Sequence, residues 1–122
     1  MGYKRKKISG VYEIKNIKTE KYYIGKSVDC FNRWQSHLQQ LLYNKHHNEE
    51  LQTDFNKGHY SYFQFRILKI QNKKYISNLE KETIQRYLRR NKYLYNVAQN
   101  PTKKIIKEKV KIIKEKKDSE ES

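Results

Sequence analysis

Tyr12 and Tyr23 lie in two short strand-like runs, each two residues from a glycine, Gly10 and Gly25. Arg33 and His37 follow, four residues apart, and Glu80 interrupts an apolar stripe further on. A tyrosine hydroxyl has an unperturbed pKa of about 10, so it accepts a proton near neutrality only when cations lie close. Arg33, His37 and Lys26 are the candidates to supply that field. Glu80 is four residues from both Ile76 and Ile84 and seven from Tyr87, which puts a carboxylate on the apolar face of a helix. An acid there is expensive unless it is paired or holds a metal. Glu82 lies about 200° further round the axis at about 100° per residue and reads as a solvated acid. Phenols, a guanidinium, an imidazole and one hard carboxylate together suit phosphodiester hydrolysis with one divalent ion. In that chemistry Glu80 holds Mg²⁺ or Mn²⁺. A buried Glu80–Arg33 ion pair with no chemistry is the other reading of the same residues.

The elements that must position these groups follow from periodicity. In residues 10–14, Gly10, Tyr12 and Ile14 share one strand face, and in residues 22–25 Tyr23 and Gly25 do. The polar stretch 16–20 between them predicts an antiparallel hairpin that brings the tyrosines together. Ser27, Val28 and Asp29 supply cap-type residues for a helix whose apolar stripe is Phe31, Trp34, Leu38, Leu41 and Leu42, with Arg33 and His37 at its edge. His46, His47 and Asn48 form a polar link to a second helix over 49–56, with Gly58 in a C-cap role. With no acidic ligand at helical spacing from both, the paired histidines read as loop residues. A third strand over 62–68 turns Phe63, Phe65 and Ile67 inward, and a helix over 76–90 follows the turn at 71–74. The expected fold is therefore α/β, a small antiparallel three-stranded sheet with flanking helices in the order ββααβα.

The chain has 122 residues and a formal charge of +15, with 11 Tyr and 4 Phe interleaved with the basic residues. That excess favours a polyanionic partner, nucleic acid first, through phosphate neutralisation and base stacking. Residues 101–122 hold eight lysines against five acids, a net of +3, which leaves +12 on residues 1–100. One domain over 9–100 is expected, with a basic arm over 1–8 and a lysine-rich tail over 101–122. The tail's thin stripe of Ile105, Ile106, Val110 and Ile113 suits a protein partner or dimerisation, while its lysines suit an electrostatic tether. Cys30 is the only cysteine, so neither an intrachain disulfide nor a cysteine-based zinc finger can form. No run is long enough to span a bilayer, and the basic N-terminus is not followed by a sustained apolar segment, so a soluble intracellular protein is expected.

In their order, GVY, YIGKS, FNRWQSH, a helix bearing Glu80 and a closing Tyr95-Asn96-Val97 resemble the GIY-YIG nuclease superfamily, and most of all its intron-encoded homing-endonuclease branch. The resemblance runs from Ser9 to Ala98, with Val11 a conservative β-branched replacement of the usual isoleucine. It implies a Mg²⁺- or Mn²⁺-dependent DNA endonuclease with Tyr12, Tyr23, Arg33, His37 and Glu80 as catalytic residues. It favours Tyr12 as the base and Tyr23 as the partner that orients water or phosphate, an assignment the residues alone leave open, with Arg33 neutralising charge that builds on the phosphoryl oxygens. Lys26, His46 and Asn96 then face the nucleic acid, His46 matching a histidine of that branch and Asn96 positioning its neighbours through its amide. Glu80, followed by Ile at the fourth and a large residue at the seventh position, fits the family pattern, and Glu82 does not. A catalytically silent binding module with the same fold is the alternative, but it would be expected to have lost one of the five residues, and all are present. A nuclease active only within a complex is a third reading.

Overall fold

The computed structural model describes residues 6–97. The expectations for the tail over 101–122, and for the arm before residue 6, lie outside the described residues. Alternation in the first two runs produces a hairpin, β1 (Gly10–Asn16) and β2 (Lys21–Ser27), with Tyr12 opposite Gly25 and Ile14 opposite Tyr23. Asn16 builds the turn: its side-chain oxygen accepts the N–H groups of Lys18 and Thr19, and Glu20 takes a left-handed φ of 55°. On the other edge of β1, β3 (Phe63–Ile70) pairs antiparallel, with a bulge between Val11 and Tyr12.

The sheet has four strands and is mixed, not three-stranded and antiparallel. A fourth strand, β4 (Tyr93–Leu94), runs parallel to β2 against Lys21 and Tyr22, giving the order β3-β1-β2-β4. Two residues are too few to show a period, and the pairing is made by backbone groups from distant parts of the chain. Tyr95 N–H continues it with a 2.7 Å bond to Tyr22 O.

Three helices cover the sheet. α1 (Cys30–Leu42) is capped by Asp29, whose carboxylate accepts the Asn32 N–H at 3.3 Å. With α2 (Glu49–Gly58), it packs on the face that carries Tyr12, Ile14 and Tyr23 in a core completed by Leu41, Leu51 and Phe55. α3 (Ile76–Arg89) covers the opposite face through Tyr87, against Val11, Tyr22 and Ile24. β1 is thus buried on both sides, and the two helical layers reach the site from opposite faces.

Two local expectations change. The inner line of α1 is Cys30, His37 and Leu41, with Trp34 and Leu38 packed beside it, while Phe31 and Leu42 are 38% and 52% exposed. His37, expected at the edge, is fully buried because both ring nitrogens have hydrogen-bond partners and no orphan polar atom goes inside with it. Gly58 ends α2 at φ −143°, outside the left-handed region. A Cβ there would stand 2.2 Å from the Tyr62 ring, so the glycine serves a close approach rather than a left-handed cap.

Candidate active site

The hairpin places the Tyr12 ring over Gly25, where a Cβ would lie 2.3 Å from the Tyr12 hydroxyl oxygen, so only glycine fits opposite the tyrosine. From that hydroxyl a chain of hydrogen bonds runs inward. Tyr12 Oη is 2.8 Å from His37 Nε2, His37 Nδ1 is 2.7 Å from His46 Nε2, and the Asn48 main-chain N–H donates to His46 Nδ1 at 3.0 Å. Tyr23 has its own imidazole, with its hydroxyl 3.2 Å from His47 Nε2. The His47 ring stacks on that of His46 with centroids 4.4 Å apart. The link after α1 is held under the hairpin by Gln52, which accepts the His46 N–H and donates to Leu41 O, and by Asn48, which donates to Tyr95 O.

His46 and His47 are therefore not idle loop residues. Both lie at the tyrosine pair, and His47 had no signal in spacing or periodicity. A glutamine six residues beyond His46 is an ordinary polar pattern until the loop is seen folded back upon it.

Burial dominates the electrostatics. It raises the Tyr12 hydroxyl above its usual range, nearby Tyr23 adds to the rise, and Arg33 opposes it as a cation and hydrogen-bond donor. Tyr23 is raised chiefly by burial as well, with Arg33 opposing and Glu80 adding. His37 is pushed down to about 3 by burial, then by Arg33, His46 and His47, and His46 to about 4 by burial, then by His47 and Arg33. Both imidazoles are neutral at ordinary pH, so His37 does not add to the positive field expected of it. Arg33 supplies that field to all four groups.

Arg33 is half-buried on α1 and bonds Ser36 Oγ at 3.4 Å. The Glu80–Arg33 ion pair is not formed, and among the described residues neither side chain enters any ion pair. Glu80 is half-buried on α3, and burial raises its carboxyl while Lys26 opposes the rise. Lys26 is exposed and donates to Ser77 Oγ at 2.7 Å, beside the first turn of α3. Asn96 does not reach the hydroxyls: its carboxamide brackets Ile24, accepting the N–H at 3.3 Å and donating to the C=O at 2.6 Å, and so holds β2 next to Tyr23. The fold brings Tyr12, Tyr23, Arg33, His37 and His46 into one cluster, joined by His47. Glu80 and Lys26 approach from the α3 side, Glu80 reaching Tyr23 through its field. Among the described residues no three His, Cys, Asp or Glu side chains converge on a metal position, so Glu80 is a lone carboxylate ligand candidate.

Known proteins share both sequence and fold with this chain. Intron-associated endonuclease 1 of Enterobacteria phage T4 is 40% identical over 60 residues, which is 49% of this chain and 24% of that protein, so the match spans about a quarter of its length. The solved catalytic domain of homing endonuclease I-TevI aligns at a TM-score of 0.60 and 31% identity, covering 75% of this chain and 99% of that domain. A mutant of the catalytic domain of intron endonuclease I-TevI aligns at 0.59 and 33% identity, covering 65% of this chain and 82% of that one. Residues 8–94, well over half of the chain, match the family described as the GIY-YIG catalytic domain, and the chain belongs to that family.

Proposed function

We propose that residues 9–100 form a divalent-metal-dependent endonuclease domain that hydrolyses phosphodiester bonds of DNA. One observation carries this reading. Two half-buried groups of opposite charge, Arg33 and Glu80, flank a pair of tyrosines and, among the described residues, enter no ion pair. A structural role would have joined them. Left apart, they suit a substrate that carries negative charge and a cation that comes with it.

Arg33 binds the phosphoryl oxygens and meets the charge that builds there. Tyr12 and Tyr23 present their hydroxyls to the attacking water and the phosphate, Tyr12 as the base and Tyr23 as the orienting group. Lys26 adds to the positive rim. Asn96 keeps β2, and with it Tyr23, in register. A single unclaimed carboxylate fits Mg²⁺ or Mn²⁺, since Mg²⁺ keeps several waters and takes one or two carboxylates plus substrate phosphate. Glu80 would hold the ion, which when bound polarises the phosphoryl oxygen and stabilises the leaving group. The +15 charge of the chain, and relatives named as intron and homing endonucleases, favour DNA as the partner. Residues 101–122 are assigned as a lysine-rich tether to the same polyanion. Cleavage of supercoiled plasmid with and without Mg²⁺, comparing the native chain with Glu80→Ala, tests the reading. Cutting without a divalent ion, or equal cutting by the variant, would overturn it.

A further inference from the structure

The hydrogen-bond chain behind Tyr12 has a direction, and a main-chain amide sets it. The Asn48 N–H can only donate, so His46 Nδ1, 3.0 Å away, is an acceptor without a proton. A neutral imidazole carries one N–H, which for His46 is then on Nε2 and donates to His37 Nδ1 at 2.7 Å. His37 Nδ1 therefore accepts, and the His37 proton is on Nε2, donated to Tyr12 Oη at 2.8 Å. The Tyr12 oxygen accepts, and its own proton turns away from His37.

A charged His37 does not fit this chain. It would set an N–H against the N–H of His46, unless His46 gave up its bond to Asn48. The surroundings agree. Around Tyr12 stand Tyr23, Arg33 and Cys30, and around His37 stand Arg33, His46 and His47, with no carboxylate acting on His37. Where a histidine serves as a base, a carboxylate on its far nitrogen stabilises the imidazolium. Here a second imidazole occupies that position and donates. The low basicity of His37, about 3, and of His46, about 4, accords with two rings that stay neutral.

We propose that His46 is a positioning residue which, oriented by the Asn48 amide, locks His37 as a hydrogen-bond donor to Tyr12. His37 then supports the Tyr12 phenolate instead of taking its proton. Tyr12 is 1% exposed, so the proton it gives up passes to a water admitted with the substrate on the side away from His37, and the phenolate keeps His37 as its donor beside the Arg33 cation. The catalytic consequence rests on the nuclease reading above; the direction of the chain does not.

Long-range ¹H–¹⁵N correlation spectra of the histidine-labelled full chain, without metal or DNA, read the direction itself. The expected result is the Nε2–H tautomer for both His37 and His46, still neutral at about pH 5, where an unperturbed histidine with a pKa of about 6.5 is charged. An Nδ1–H tautomer or an imidazolium at His37 would overturn the proposal. In His46→Leu, His37 should lose its single tautomer, and kcat for DNA cleavage should fall between about tenfold and about 10²-fold at unchanged KM. His46→Gln, whose amide can still donate to His37 Nδ1, should restore the Nε2–H signal and most of the rate. A His37 that keeps its Nε2–H tautomer in His46→Leu would refute the role of His46. A native chain that cuts nothing would count against the nuclease reading and leave the spectra to decide the direction.

Discussion

Tyr12 and Glu13 are neighbours on β1 that point to opposite faces, and each belongs to a set of one tyrosine, one arginine and one glutamate. On the α3 face the set is closed. Glu13, 2% exposed, accepts the Tyr87 hydroxyl at 2.7 Å and pairs with Arg66, its cross-strand neighbour, at 3.3 Å. The set around Tyr12 stays open: Tyr12 is bonded to His37, while Arg33 on α1 and Glu80 on α3 stand apart and, among the described residues, enter no ion pair. The same three side-chain types give stability when they satisfy one another, and a site when they are held near one another without doing so.

Exchanging the two glutamates in turn is the strongest way to break this contrast. Glu80→Ala should lower Mg²⁺-dependent cleavage by at least about 10³-fold, the several kcal/mol that a metal position supplies, with its melting temperature nearly unchanged. Glu13→Ala should do the reverse. It strands the Tyr87 hydroxyl and should cost about 2–3 kcal/mol, a fall of about 10–20 °C in the midpoint measured by calorimetry, while the folded fraction cuts normally. If both variants lose activity equally without loss of stability, the two sets do not differ in kind.

The two arginines should differ in the same sense, by less. Arg33→Ala should slow cleavage by about 10²–10³-fold and reduce the slope of log K against log salt for DNA binding by about 0.9, the loss of one neutralised phosphate. Arg66→Ala should leave that slope where it was. Acid separates the faces next. His37 and His46 bind protons only near 3 and 4 when folded but near 6.5 when unfolded, so below that value the unfolded chain holds more protons. Stability should be fully present above about pH 6.5 and fall as pH drops towards 4, by up to about 1.4 kcal/mol per pH unit for each histidine. Urea unfolding across that window checks the sign, and a flat profile would mean that the two rings are not buried neutral. The smallest effect is Glu82→Ala, on the exposed side of α3, which should stay within about 0.5 kcal/mol in stability and about twofold in cleavage.

The hairpin, the helix cap at Asp29 and the unusual position of Glu80 were legible because each is a local pattern: alternation, a cap oxygen, an acid in an apolar stripe. His37 was misplaced because an imidazole counts as polar in a helical stripe. Cys30, Trp34, His37 and Leu41 form the inner line of α1 only if histidine is allowed inside, and what allows it is His46, nine residues away. His47 and the pairing of β4 depend on where loops return. A two-residue parallel strand and a histidine stacked on its neighbour leave no period to read. Glu13 is visible as the residue facing away from Tyr12, but its partners lie on β3 and α3, and only the register brings Arg66 opposite.

The bracket that Asn96 places around Ile24 makes a side chain stand in for a strand. The family match ends at Leu94, yet the Tyr95 N–H bonds the outer carbonyl of Tyr22, and beyond the two paired residues the Asn96 carboxamide occupies both main-chain groups of Ile24. A chain ended at Leu94 would leave that stretch of β2 as a bare sheet edge, and bare edges invite strands from other molecules. Because β2 carries Tyr23 and Gly25, such self-association would begin on the strand that builds the site, so a shortened domain would lose activity together with its monomeric state.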